Sequence, residues 1–190
     1  EQIAIGVNTY QWSVYNGPCG SSLDDVSIVL YDDTTAAANA GPDIEICLPL
    51  TAIDSLLGEQ PPAPAEGTWT LIAGTGIIAE PNNPNSAITG LSQGTNVFVW
   101  TLEWDPCPNN GILTDTVEVR VYNPNAPLAN AGPDQQWCSP MDEVTMAGNV
   151  PEIPGVGTWT QVLGAPANII APNDASTAIN GLGVGSYQFV

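Results

Sequence analysis

The sequence predicts an all-β fold, built as a linear array of tandem β-sandwich domains. Three observations carry that expectation. Motifs recur at a nearly constant offset of about 91 residues. Apolar and polar residues alternate with a period of two between the turns. The 19 glycines and 18 prolines sit among Val-, Ile- and Trp-rich stretches, a mixture that suits many short strands and disfavours long helices.

The repeat organises the whole chain. Ala38-Asn39-Ala40-Gly41-Pro42-Asp43 returns as Ala129-Asn130-Ala131-Gly132-Pro133-Asp134, with Cys47 and Cys138 four residues further on, at an offset of 91. Gly67-Thr68-Trp69-Thr70 returns as Gly157-Thr158-Trp159-Thr160 at an offset of 90, and Gly90-Leu91 with Gly94 returns as Gly181-Leu182 with Gly185 at 91. GVNTYQW at 6–12 matches GTNVFVW at 94–100, offset 88, and the register resumes at Val26 and Val117, offset 91. The three extra residues fall within 106–113, which reads as a hairpin loop, where insertions belong. The chain therefore divides into the tail of one repeat (1–35), a complete repeat (36–126) and the front of a third (127–190). A unit near 90 residues has the size of an Ig-like sandwich and exceeds the short solenoid repeats.

The strands follow in order. Tyr10, Trp12 and Val14 alternate with Thr9, Gln11 and Ser13, and the matching segment places Phe98, Trp100, Leu102 and Trp104 on one face. Val26, Ile28 and Leu30 alternate with Ser27, Val29 and Tyr31, as Val117, Val119 and Val121 alternate with Glu118, Arg120 and Tyr122. Each pair should form an antiparallel hairpin around its cysteine loop. In Ig lettering, the segment after AGPD is strand A, 144–147 is B and GTWT is C. The stretch around Ile88 is E, 96–104 is F and 115–122 is G. A Trp on strand C is what an Ig sandwich uses to fill its core. Tyr187 stands where a tyrosine corner would enter strand F, and the complete repeat has Asn96 there.

The charge is one-sided. Twenty acidic residues stand against one basic residue, Arg120, with no histidine, for a formal charge of −19. Nucleic acid is excluded as a partner, because displacing phosphate counterions needs Lys and Arg. Anionic membrane is disfavoured for the same reason. No apolar run approaches the roughly 20 residues of a membrane-spanning helix, so no membrane insertion is expected. The charge should keep neighbouring chains apart at some cost from self-repulsion. Glu1 opens on strand-like sequence, so any targeting segment is expected outside this window.

The four cysteines, Cys19, Cys47, Cys107 and Cys138, form no CxxC pair. An even count in such a chain points to disulfides and an oxidising compartment. Cys47 near strand A and Cys107 in the F–G loop fall at the same pole of one domain, so Cys47–Cys107 is the expected bridge. A Cys107–Cys138 bridge would have to span roughly 30–40 Å of strand length, beyond disulfide reach. Cys19 and Cys138 are expected to be unpaired within this window, with partners before Glu1 and beyond Val190.

The run ANAGPD, a nearby Cys, GTWT, an x-P-N turn, ITGLxxGTNxFxWT, a Cys loop and DTVxVxV resembles the PKD/Ig-like repeats of very large surface adhesins from Bacteroidota, including the gliding-motility (SprB-like) type. The resemblance covers essentially all 190 residues. It implies tandem PKD-like sandwiches in a secreted cell-surface filament, exported by the type IX pathway.

The chemistry-bearing residues fit that expectation. Without His or Lys, a Ser-His or Cys-His pair, a Schiff base and a Ser-Lys dyad are unavailable, so no enzyme is expected. Asp24-Asp25 and Asp32-Asp33 are sequence neighbours whose side chains face opposite sides of a strand. No cofactor is expected. Calcium is the competing reading for Glu80-Pro81-Asn82-Asn83-Pro84-Asn85, Asp105 and Asn109-Asn110, although no DxDxDG loop exists. Turn chemistry is the simpler role for the repeated Asp43 and Asp134, and for Asp24 and Asp115. Trp12, Trp69, Trp100 and Trp159 are expected in the core, while Trp104 and Trp137 are open between core and surface.

Two functions compete. One is the structural shaft of an adhesin filament, in which neighbouring repeats are the partners and an unknown surface, polysaccharide or protein is the distal target. The other is a glycan- or protein-binding module acting through its F–G and B–C loops. Strand donation between copies is a further possibility, but 1–11 and 180–190 match the same part of the repeat, which favours a window cut from an array.

Overall fold

The computed structural model describes residues 3–30, 37–62, 65–103, 112–138 and 143–190. The fold is all-β, with one 3-10 turn and no α-helix among those residues. By packing the chain divides into two compact units. The first comprises 1–44, 51–92 and 96–119, and the second 45–50, 93–95 and 120–190.

The first unit opens with β1 (Gly6–Tyr15) and β2 (Ser21–Leu30), joined through the 3-10 turn Gly17–Cys19. They pair antiparallel over ten residues, with Tyr10 opposite Val26 and Trp12 opposite Asp24. Among the described residues these strands pair only with each other. The period of two is present, yet both faces lie open. Trp12 therefore departs from its expected core position and is 71% exposed. Alternation specifies a face and says nothing of what will lie against it.

The complete repeat forms a sandwich. A four-stranded sheet has the order β3-β8-β7-β4, from β3 (Ile44–Cys47), β4 (Glu66–Ala73), β7 (Gly94–Glu103) and β8 (Ile112–Tyr122). The opposing layer is β5 (Ile77–Ile78) paired with β6 (Ile88–Thr89), to which Ile53 adds a bridge at Ile88. These strands correspond to A, C, F and G in one sheet and to B, D and E in the other. Strand β7 alternates strictly, burying Gly94, Asn96, Phe98, Trp100 and Leu102. Val117, Val119 and Val121 of β8 point inward beside them. Leu56, Trp69, Ile88 and Leu91 complete the buried set. The loop expected at 106–113 lies mostly outside the described residues, and its last two, Ile112 and Leu113, are already strand.

The second unit repeats this plan with shorter strands. Its elements are β9 (Glu143–Thr145), β10 (Gln161–Leu163), β11 (Asn168–Ile169), β12 (Ala178–Asn180) and β13 (Gln188–Phe189). The register is copied. Gln161 opposes Phe189 as Leu71 opposes Phe98, and an irregularity follows at the same place in both ladders. Ile169 opposes Ile179 as Ile78 opposes Ile88, and Val144 stands against Ile179 as Ile53 stands against Ile88. Strand B begins one residue earlier than expected. The expected strand at GTWT is realised in β4, whereas its counterpart β10 starts after the Trp. In β4, Gly67 to Trp69 pair with Leu102 to Trp100.

Candidate functional site

The repeated motifs turn out to be local hydrogen-bonding devices. In the AGPD turn, the Gly41 N–H donates to Asn39 Oδ1 at 2.9 Å, and the Gly132 N–H donates to Asn130 Oδ1 at the same distance. Both glycines sit at φ +82°. A Cβ on Gly41 would meet the Leu57 carbonyl oxygen at 2.5 Å, and one on Gly132 that of Ala147 at 2.6 Å. Glycine is required there twice over, by conformation and by space. Asp43 accepts from the Glu118 N–H at 3.0 Å, and Asp115 accepts from the Ala40 N–H at 2.8 Å. Two carboxylates that the repeat had singled out thus tie the turn to the last strand of the sandwich.

The acidic and amide-rich loop at 80–85 is a second such device. Asn82 Nδ2 donates to the Gly67 carbonyl and to Thr68 Oγ1, both at 2.9 Å. Asn173 does the same to Gly157 and Thr158, at 2.9 and 2.8 Å. Asn83 donates to Glu80 at 2.7 Å and accepts from the Asn85 N–H at 2.9 Å. Its counterpart Asp174 accepts from the backbone and the hydroxyl of Ser176, which holds its carboxyl below the usual range. The groove beside the first loop, about 480 Å³ and lined by Gln60 and residues 80–84, opens over oxygens already used within the turn. Among the described residues no three His, Cys, Asp or Glu side chains cluster as metal ligands. Asp105, Asn109 and Asn110 lie outside the described residues.

Each loop also receives a tryptophan. Trp69 is buried and donates its indole N–H to the Pro84 carbonyl at 3.2 Å, and Trp159, 8% exposed, donates to Ala175 at 3.4 Å. Gly58 and Gly148 lie beneath the two rings, where a Cβ would come within 2.8 and 2.9 Å. Trp100 is fully buried against Trp69, with ring centroids 4.9 Å apart. Trp137 is 59% exposed, and Trp104 lies outside the described residues. Sequence reading missed the tethering role of Asn82 and Asn173, although the repeated x-P-N turn carried the signal.

The corner into strand F is built in two ways. Asn96 is buried, with Nδ2 donating to the carbonyls of Ser92 at 3.0 Å and Val119 at 3.2 Å. Asn8, its match in β1, donates to the Ala4 carbonyl at 2.6 Å. Tyr187 replaces the amide in the third repeat, its hydroxyl accepting from the Gly183 N–H at 2.8 Å.

The structure resembles two solved PKD domains. One, from the KIAA 1837 protein, is 25% identical, with 54% of this chain and 96% of that chain covered and a TM-score of 0.40. The other, from human KIAA0319, is 23% identical, with 53% and 88% covered and a TM-score of 0.38. No family model matches the chain, and no curated protein does.

The remaining polar features are at the surface. Glu45 accepts the Tyr122 hydroxyl at 3.1 Å and lies 3.7 Å from the Arg120 guanidinium. Partial burial and the Glu45 carboxylate raise the Tyr122 phenol above its ordinary range. In the second unit, Glu152 accepts from Asn123 at 2.9 Å and Gln93 at 3.0 Å, and these bonds lower its carboxyl. Cys19, Cys47 and Cys138 are exposed, and no disulfide joins any two of them. Cys107, the expected partner of Cys47, lies outside the described residues. No helix among the described residues is long and apolar enough to cross a membrane.

Proposed function

We propose that the chain is a structural shaft segment of a long, secreted cell-surface adhesin filament of the Bacteroidota type, serving adhesion or gliding motility without catalysis. The observation that carries this reading is the copying of the same supports in successive repeats. The glycine turn, the Asn tether, the Trp-to-carbonyl bond and the ladder irregularity all recur at matching positions. Identical supports in each unit serve a repeating mechanical element, whereas a binding site needs one unit to differ. The charge of −19 supports it further, since like-charged shafts resist bundling. In this reading neighbouring repeats are the partners, the disulfide Cys47–Cys107 clips the middle domain, and a distal region outside this segment meets the target.

The second reading, a loop-borne glycan- or protein-binding module, has one observation in its favour, the exposed Trp137 ring. A glycan array probed with the 190-residue chain separates the two. Silence across the array is the expected result, and dose-dependent binding lost in Trp137→Ala would overturn the shaft reading. Non-reducing peptide mapping should recover Cys47 joined to Cys107, and a Cys107–Cys138 peptide would refute that pairing.

A further inference from the structure

The outermost strand of the middle sandwich is guarded along part of its length. Among the described residues β4 ends the sheet order β3-β8-β7-β4, so one side of its backbone faces away from the ladder. An open edge presents unpaired N–H and C=O groups to any passing strand. Here the Trp69 N–H donates to the Pro81 carbonyl at 2.8 Å, and the Gly67 carbonyl accepts from Asn82 Nδ2 at 2.9 Å. Those two groups, two residues apart, are the donor and acceptor that one residue of an added parallel strand would take. Pro81 offers a carbonyl but has no N–H, so the Asn82 amide supplies the missing donor. The loop is itself fixed. The Glu80 N–H donates to the buried Ser86 hydroxyl at 2.9 Å, and the Pro84 carbonyl accepts from the Gly58 N–H at 3.1 Å. The third repeat copies each bond. The Trp159 N–H donates to the Pro172 carbonyl at 2.8 Å, and Asn173 Nδ2 donates to the Gly157 carbonyl at 2.9 Å. The Ala171 N–H donates to the buried Thr177 hydroxyl and the Gly148 N–H to the Ala175 carbonyl, both at 2.9 Å.

We propose that Pro81-Asn82 and Pro172-Asn173 are edge guards, which hold the place where a strand of a second copy would otherwise pair. The net charge leaves this edge unprotected, because no charged residue lies between Glu66 and Glu80 or between Glu152 and Asp174. The side chains just past the guards, Leu71, Ile72, Val162 and Leu163, are apolar and exposed. An uncharged apolar edge pairs readily with its own kind. A second copy brings the same edge, and a tandem array brings many. Where each guard ends, the ladder loses its register, between Leu71 and Ala73 and between Gln161 and Leu163. Such irregularities blunt an edge in their own right. The inference does not depend on whether the chain is a shaft or a binding module, since both need copies that stay separate.

Hydrogen exchange and sedimentation velocity of the 190-residue chain test this, under reductant so that exposed cysteines cannot cross-link copies. In the wild type the Trp69 and Trp159 amides should be protected. The protein should stay monomeric to about 100 μM, a range that reveals weak specific association. A variant carrying Pro81→Gly, Asn82→Gly, Pro172→Gly and Asn173→Gly frees both loops. Its Trp69 and Trp159 amides should exchange about tenfold faster or more, as loss of roughly one net hydrogen bond allows. It should also associate increasingly as its concentration rises. Adding Ile72→Glu and Val162→Glu, at two exposed positions, sets like charges on the edge and should return the variant to monomer. A wild type that associates, or an unguarded variant that stays monomeric or keeps its amides protected, overturns the proposal. Association that survives the two glutamates overturns it as well, because it marks general unfolding rather than edge pairing.

Discussion

Asn96 is a polar side chain at the centre of an apolar strand face, and every one of its hydrogen-bonding groups is used. Its Oδ1 accepts from the Thr75 N–H at 2.8 Å and from Ser92 Oγ at 3.3 Å, while Nδ2 serves two carbonyls. Replacing it with leucine strands a buried N–H and a buried carbonyl, so Asn96→Leu should lower stability by about 2–4 kcal/mol in chemical denaturation. Glu152 gives a second prediction. Its folded carboxyl is depressed by the Asn123 and Gln93 amides. The stabilisation it supplies is present above the unfolded carboxylate range and disappears as pH falls through the lower folded value. A carboxyl NMR titration should place Glu152 on the acid side of an ordinary glutamate, and Asn123→Ala should move it back. Period-two patterning put Asn96 on the inner face with Phe98 and Trp100, but nothing in the pattern announced its partners, which lie up to 23 residues away. Trp12 shows the same limit in reverse: its face was legible and its exposure was not.

The two x-P-N loops behave as interchangeable parts. Asn82 and Asn173 reach the same two acceptors on the preceding GTWT segments. Each is exposed to competing water, so Asn82→Ala and Asn173→Ala should cost about 1 kcal/mol apiece, within the usual net value of such bonds. The glycine turns are less forgiving. Gly41→Ala imposes a left-handed backbone on an alanine and drives its Cβ against the Leu57 carbonyl. Thermal melts should show a loss of about 2–3 kcal/mol, of the order of backbone strain at a fixed left-handed position. The long strands β7 and β8 were legible because ten or eleven residues give alternation room to declare itself. Strands β5, β6, β11 and β13 have two residues each, too few for any period. The stretch around Ile88 was placed in advance, whereas β5 and β11 were not, because two residues carry no alternation.

At the scale of the molecule, charge opposes folding. With −19 and a single side-chain cation, almost every electrostatic pair in the chain is repulsive. Raising salt from about 0.01 to 0.5 M should raise the melting temperature, since the screening length falls from roughly 30 Å to below 10 Å. A melting temperature unmoved by chloride would show that the carboxylates are too dispersed to matter. Melts with and without a chelator, run at constant ionic strength, should coincide if loops such as 80–85 are held by their own amides. The tandem organisation was legible because motifs are spaced far more regularly than chance allows.

Arg120 pairs with Glu45 from within β8, an interior strand of the four-stranded sheet. It is the only lysine or arginine in the sequence. A trypsin-like protease therefore has one bond to attack, between Arg120 and Val121, and an extended substrate must enter its cleft with both edges free. That bond becomes cleavable only when β8 leaves the sheet, so digestion reports opening of the core rather than fraying of loops. A chain of this composition would persist among basic-specific proteases for as long as its sandwich stays closed.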